Sequence, residues 1–260
     1  MALLEVRFFS DVLGMCMPMN VILPQDTKKP IPTLYLLHGM SDDHSTWSRQ
    51  TSIERYAESE GIAVVMPTTY LGWYTDMELG NNYRTFVGEE LPMICRSFFP
   101  MLSHDRLDTY VCGNSMGGYG AVALALTYPE TFSVAASLSG AFDPRWLHDP
   151  DHPENTYFSD IFGDIGRFEG SKNDLWSLAE KRSHDELRPY IYMWCGTEDF
   201  LYDVNKSFRN HLTALNYDLT YDDSSGEHSW YYWDSEIQSV FSYIRVFRML
   251  CNARKRRKEI

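Results

Sequence analysis

Ser115 stands in the run Gly113-Asn-Ser-Met-Gly117, between an apolar stretch at 109–112 and a second one that continues to Tyr128. The pattern reads as strand, sharp turn and helix, with the serine at the turn. A serine hydroxyl is a poor nucleophile and must be presented bare on a strained backbone, close to neighbouring chain. Glycines two before and two after it remove the side chains that would collide there. The helix that follows directs unpaired N–H groups and a positive dipole end at any oxygen that gains negative charge beside the serine. The chemistry implied is acyl transfer through a covalent serine intermediate.

Such a serine needs a base to take its proton and a third group to orient the base, and on this strand–turn–helix scaffold the acid and then the histidine follow the serine in the chain. After the apolar run at 190–194 comes Cys195-Gly-Thr-Glu-Asp199, which offers both Glu198 and Asp199. Asp199 is favoured, because a short carboxylate near a helix starting at 201 is easier to hold rigidly. Either residue could instead serve as an N-terminal helix acid. His228, in Gly226-Glu-His-Ser-Trp230, is the candidate base. Of the alternatives, His148 and His152 fall in an irregular segment, His184 in a polar run and His211 inside an expected helix. A neutral imidazole at 228 would take the Ser115 proton and return it to the leaving group.

Two backbone N–H groups should face the developing oxyanion, that of Met116 directly after the serine and that of Met40 in the loop after the strand at 33–37. Losing one such donor costs about 3–4 kcal/mol of transition-state stabilisation. His38 precedes the nucleophile and reads as a structural residue of that loop. Trp47, Trp73, Tyr74, Trp230 and Tyr231 are expected at the same end, as walls of a compact pocket for a short acyl group or as packing between segments. His148-Asp-Pro-Asp-His152 has ligand-type residues but no further cluster at ligand spacing, and reads as a solvated loop. No metal and no cofactor is expected.

The elements that would position these groups alternate. Strands are expected at 6–10, 17–23, 33–37, 62–66, 109–112, 133–138, 190–194 and 219–221. Helices are expected at 53–59, 82–99 (despite Pro92), 115–128, 201–215 and 235–250. The inner strands are nearly all apolar, which implies a parallel sheet covered on both faces, while the first two have the mixed polarity of antiparallel edge strands. Residues 141–188 break any long period and read as an insertion over the working end of the sheet, where such folds gather their chemistry. Residues 24–32 read as an exposed loop.

The chain has 260 residues and is 44% hydrophobic, which suits a single domain. Residues 254–258 are all basic and only Glu259 opposes them, a local charge of +4 that leaves −17 on the rest of a chain with net charge −13. The acidic body argues against nucleic acid and anionic membrane surfaces as partners, and the tail reads as a solvated, frayed end. No signal peptide and no membrane span is evident. Five scattered cysteines without a CxxC motif fit reduced thiols in a cytoplasm. The oligomeric state is left open, a homo-oligomer included.

Leu36-Leu-His-Gly-Met40 with Trp47, Gly113-Asn-Ser-Met-Gly-Gly-Tyr-Gly120, Ser137-Leu-Ser-Gly140, Cys195-Gly-Thr-Glu-Asp-Phe200 and His228-Ser-Trp-Tyr-Tyr-Trp233 together resemble the esterase family of α/β-hydrolases that includes esterase D, feruloyl esterases and bacterial tributyrin esterases. Phe8-Phe-Ser-Asp-Val-Leu-Gly14 and Gly72-Trp-Tyr-Thr75 are similar to the tributyrin or acetyl esterase branch. The resemblance spans residues 5–250, with the blocks in family order. It implies an α/β-hydrolase fold and a serine carboxylesterase acting on short acyl chains, acetyl to butyryl, including acetylated sugars or aryl esters. It carries Ser115, Asp199 and His228 over as the triad. Asn114 departs from the Leu or His of many relatives; it adjoins the nucleophile, where it would alter the acyl pocket, and leaves Ser115 and both glycines intact. An acyltransferase would share every one of these catalytic residues and differ in excluding water. The likeness to S-formylglutathione hydrolases is looser, and a non-catalytic binding protein on this fold would have no need of the strained turn and both partners.

Overall fold

The chain opens with a hairpin of two long strands, β1 (Ala2–Ser10) and β2 (Met15–Leu23), joined by a turn in which Gly14 takes φ +66°. The computed structural model describes residues 1–25, 30–152 and 155–258, the side chains of 254–258 excepted. Part of the loop expected at 24–32 therefore lies outside the described residues. Six further strands follow: β3 (Thr33–Leu37), β4 (Ala63–Pro67), β5 (Thr109–Asn114), β6 (Val134–Leu138), β7 (Tyr190–Gly196) and β8 (Leu219–Ser224). They form one sheet in the order β1-β2-β4-β3-β5-β6-β7-β8. The hairpin pairs antiparallel, both internally and with β4, and the remaining ladders are parallel. The opposite polarity of the first two strands was legible in their composition: β1 alternates exposed and half-buried residues, while β3 to β6 are buried throughout.

Burial on both faces follows from the two-residue period of a strand. In β3, Leu34 and Leu36 join one apolar cluster with Trp47, Ile53, Tyr110 and Val240. Tyr35 and Leu37 join the other, with Val111, Leu124 and Phe132. Helices α1 (Thr46–Gln50) and α2 (Ile53–Glu60) lie between β3 and β4. After β4, α3 (Tyr83–Thr85) passes through a π-helical turn (Phe86–Glu90) into α4 (Leu91–Phe98). This is the single helix expected at 82–99. Pro92 closely follows the π-helical turn, where the regular ladder of backbone hydrogen bonds is already interrupted and its missing N–H is accommodated. Glu90 in the π turn accepts hydrogen bonds from the Asp11 and Val12 N–H groups and from Ser10, and so ties the helix to the β1–β2 turn.

Helix α5 (Met116–Thr127) is apolar on all sides, and every residue from Met116 to Leu126 is buried. One side meets the sheet. The other meets the segment between β6 and β7, which holds α6 (Tyr157–Phe162), α7 (Leu175–Arg182) and two short 3-10 turns. That segment is the irregular stretch expected at 141–188. Helix α8 (Tyr202–Ala214) and β8 follow, and the chain closes with α9 (Trp230–Lys258). Helix α9 exceeds the expected 235–250 at both ends. Its backbone carries the helix through residue 258, where a frayed tail was expected; the tail's side chains and residues 259–260 lie outside the described residues. Among the described residues, no helix is long and apolar enough to cross a membrane.

Candidate active site

Ser115 sits between β5 and α5 with φ +54° and ψ −118°, a backbone conformation that side chains rarely adopt. The flanking glycines make it possible. A Cβ at Gly113 would lie 2.4 Å from the Gly117 carbonyl, and one at Gly117 would lie 2.6 Å and 2.7 Å from the carbonyl oxygens of Leu37 and His38. The nucleophile turn is thus packed directly on the loop after β3. The Ser115 N–H donates to the Leu138 carbonyl at 2.9 Å, and Ala141 N–H donates to the Ser115 carbonyl at 3.1 Å, which fixes the turn against the end of β6.

The turns after β7 and β8 bring the other two groups to this point. The Ser115 hydroxyl stands 3.0 Å from His228 Nε2, and His228 Nδ1 lies 2.8 Å from Asp199 Oδ2. The second Asp199 oxygen accepts the Leu201 N–H at 2.8 Å, so the carboxylate is held at both ends. Its side chain is fully buried, whereas that of His228 keeps 18% of its surface open. With Asp199 accepting at Nδ1, the imidazole carries its proton there and offers a bare Nε2 to the serine. The ring is packed between Phe200 at 4.6 Å and Trp233 at 4.8 Å, the latter at right angles. Glu198, the other carboxylate considered from the sequence, points away: it accepts the N–H of Gly226 and braces the turn that carries His228. That hydrogen bond holds its carboxyl below the usual range.

His38 is buried within the loop opposite. Its Nδ1–H donates to the Gly39 carbonyl at 2.7 Å, and its Nε2 accepts the Thr69 N–H at 3.1 Å. Burial lowers its pKa to about 4, so the ring is neutral at pH 7. Because a peptide is planar and trans, a Gly39 carbonyl turned towards His38 turns the Met40 N–H the opposite way. Met40 and Met116 both line the cavity at Ser115, and Met116 N–H, at the first position of α5, has no preceding helical carbonyl to bond.

The cavity measures about 440 Å³ and is walled by Met40, Trp73, Trp146, Phe200, Leu201, Trp230 and Trp233, with Gly39, Asp42, Asn114 and Ser229 between them. Of the five aromatics expected there, Trp73 and Trp230 reach it. Trp47 does not: it is buried behind Trp230, its ring 4.9 Å away, and its indole N–H donates to the Leu37 carbonyl. Tyr74 is also buried, its hydroxyl donating to the His38 carbonyl, and it supports the loop rather than facing substrate. Tyr231 projects outward and is 80% exposed. Trp146, Phe200 and Trp233 were missed. Phe200 follows Asp199 directly and Trp233 lies one turn into α9, so adjacency to the triad was the usable signal. Trp146 comes from the segment between β6 and β7, and only the fold brings it near. His148 and His152 do not line the cavity. Among the described residues, no group of three or more His, Cys, Asp or Glu could hold a metal ion.

A sequence model of the family described as putative esterase matches residues 10–243. An acetyl esterase from Caldicellulosiruptor saccharolyticus is 30% identical, over 94% of this chain and 98% of its own. Among solved structures, the fluorophosphonate-binding serine hydrolase FphF of Staphylococcus aureus superposes with a TM-score of 0.87 at 34% identity, covering 94% of this chain and 98% of that one. The S-formylglutathione hydrolase FrmB of the same organism gives 0.83 at 33% identity with the same coverage.

Proposed function

The chain belongs to the putative esterase family and is a serine hydrolase of carboxylic esters, and from that premise we propose that it cleaves short-chain acyl esters, acetyl to butyryl, through an acyl-Ser115 intermediate. The observation that carries the reading is the hydrogen-bonded line Ser115–His228–Asp199 opening into one cavity with Met40 and Met116. His228 Nε2 takes the hydroxyl proton as Oγ bonds to the ester carbonyl carbon. The carbonyl oxygen becomes an oxyanion facing the N–H groups of Met40 and Met116. Collapse breaks the bond to the alcohol oxygen, which leaves with the proton from His228. Water then attacks the acyl-serine, His228 takes its proton, and the carboxylic acid departs as Ser115 recovers its hydrogen. Asp199 holds the ring and balances the imidazolium charge.

A short acyl group is supported by the bulk of Trp73, Trp230 and Trp233 in a cavity of this size, and by the acetyl esterase relative. An aryl or sugar alcohol is supported by Trp146 and Phe200, which are 53% and 72% exposed at the mouth. That openness also supports hydrolysis over transfer to another alcohol, since water reaches the acyl-enzyme. An S-formylglutathione reading has less support: glutathione carries two carboxylates, whereas the described cavity lining includes Asp42 and no Lys or Arg. A reducing compartment is supported by the five cysteines, none of which is in a disulfide.

The test is a panel of p-nitrophenyl esters from two to eight acyl carbons. Turnover should peak at two to four carbons, show a pre-steady-state burst, and vanish in Ser115→Ala. Undiminished turnover in that variant would remove the mechanism.

A further inference from the structure

Trp73 and Tyr74 both take φ +50°. Two consecutive aromatic residues at positive φ are outliers, and such strain persists only where surrounding contacts over-determine it. The turn they form serves the site twice. Trp73 lines the cavity, and the buried Tyr74 donates its hydroxyl to the His38 carbonyl at 2.9 Å. That carbonyl belongs to the loop on which the Ser115 turn is packed and from which the Met40 N–H is presented. One strained turn therefore carries both a wall of the cavity and a brace of the oxyanion loop.

Arg84, in α3, bonds to this turn from behind. It is 3% exposed, and among the described residues no carboxylate pairs with it. Its Nε donates to the Tyr74 carbonyl at 3.2 Å and its Nη1 to the Lys172 carbonyl at 2.7 Å. A buried cation without a counter-ion is less favourable than an apolar side chain of similar size. What it adds is a planar fork that fixes two carbonyls at once, a geometry that an ammonium on a flexible stem does not copy. Neighbouring bonds repeat the link. The Thr75 hydroxyl donates to Asn173 Oδ1 and the Tyr119 hydroxyl, from α5, to the Asn173 carbonyl, each at 2.7 Å. The segment between β6 and β7 is thus bonded at 172–173 to the turn at 73–75 and to the helix that follows the nucleophile. We propose that Arg84 is a positioning residue for ester cleavage. By fixing the Tyr74 carbonyl relative to that of Lys172, it keeps Trp73 and Tyr74 in their strained conformation and sets the width of the cavity and the pose of the oxyanion loop together. The assignment rests on the serine-esterase reading of that cavity.

The test uses p-nitrophenyl acetate and p-nitrophenyl hexanoate with Arg84→Met, which keeps the length of the stem and removes every donor. For the acetate, kcat should fall by about 10- to 100-fold, as a displaced oxyanion loop requires. The hexanoate-to-acetate ratio of kcat/KM should rise by about fivefold or more, because a released Trp73 no longer limits the acyl chain. Tyr74→Phe removes the bond to His38 by another route. In the double variant the loss of kcat should therefore stay within about threefold of the larger single loss. Arg84→Lys, with one donor group in place of the fork, should fall between wild type and Arg84→Met. A kcat and a ratio both within about threefold of wild type would overturn the assignment. So would a fall in kcat with an unchanged ratio, or losses that simply multiply in the double variant, the mark of a residue that only supports the fold. Should the methionine variant fail to fold, Arg84→Lys decides by the same readouts. Ser115-dependent turnover that is indifferent to Arg84 sinks this assignment alone; a wild-type chain that cleaves neither ester sinks the esterase reading with it.

Discussion

A Cβ on Gly196 would lie 2.1 Å from the carbonyl oxygen of Gly226. The turn that carries Asp199 and the turn that carries His228 are thus in direct backbone contact, and the 2.8 Å bond between their side chains depends on it. Glu198 ties the same two turns from the other side. Gly196→Ala should therefore separate the acid from the base. The expected loss is about 1–3 kcal/mol of stability, and a fall in kcat of about 100-fold, the penalty for a 1 Å misplacement. Denaturant unfolding and ester hydrolysis measured on one preparation check both.

Asp199 and Glu198 are adjacent in sequence and different in role. In Asp199→Asn the imidazole loses the acceptor that fixes its tautomer, and kcat should fall by about 10⁴-fold. Glu198→Gln keeps an acceptor for Gly226 and should stay within about tenfold of wild type. Steady-state kinetics of the two variants would reverse the assignment of the acid if Glu198→Gln proved the more damaging.

His38 gives the protein a pH-dependent stability. Its folded-state pKa of about 4 lies below the ordinary 6.5, so the unfolded chain binds the proton more tightly. The contribution is fully present above pH 6.5 and is lost as pH falls from 6.5 towards 4. About 3 kcal/mol should disappear across that window. Urea midpoints at pH 7 and pH 4.5 measure the loss, and His38→Gln should flatten this part of the profile. The same variant should lower kcat, because the Gly39 carbonyl loses the donor that sets the Met40 N–H.

Trp146 is half exposed and reaches the cavity from the segment between β6 and β7. Trp146→Ala should raise KM for an aryl acetate by about 3- to 10-fold, the worth of one stacking contact, and leave KM for methyl acetate nearly unchanged. The thermal midpoint should move by no more than about 2 °C. Parallel shifts for both esters would show that Trp146 does not contact the alcohol.

Much of this site was legible because its parts obey local rules. Gly113 and Gly117 flag the turn from the sequence, and the structure supplies the reason in the close carbonyls of Leu37 and His38. Strand ends expected at 112 and 194, each two residues short of the observed ones, locate the nucleophile and the acid once the sheet is taken as parallel. The walls were harder to read. Trp47 and Tyr74 share the composition of pocket aromatics, yet their polar tips bond the Leu37 and His38 carbonyls and turn them into supports. Trp146 has no local signal, since its approach to Trp73 is a contact between distant segments. The π-helical turn before α4 was invisible for the same reason: Glu90 is drawn to the β1–β2 turn, far away in sequence.

The outermost strand on one side of the sheet is β8, and most of its residues face solvent. His228 hangs from the far end of that strand. Fraying at this margin would disconnect the imidazole while the inner ladders stay paired. Catalytic inactivation on warming should therefore run ahead of the collapse of bulk secondary structure, and an inhibitor bonded to Ser115 and packed against the His228 ring should close the gap between the two.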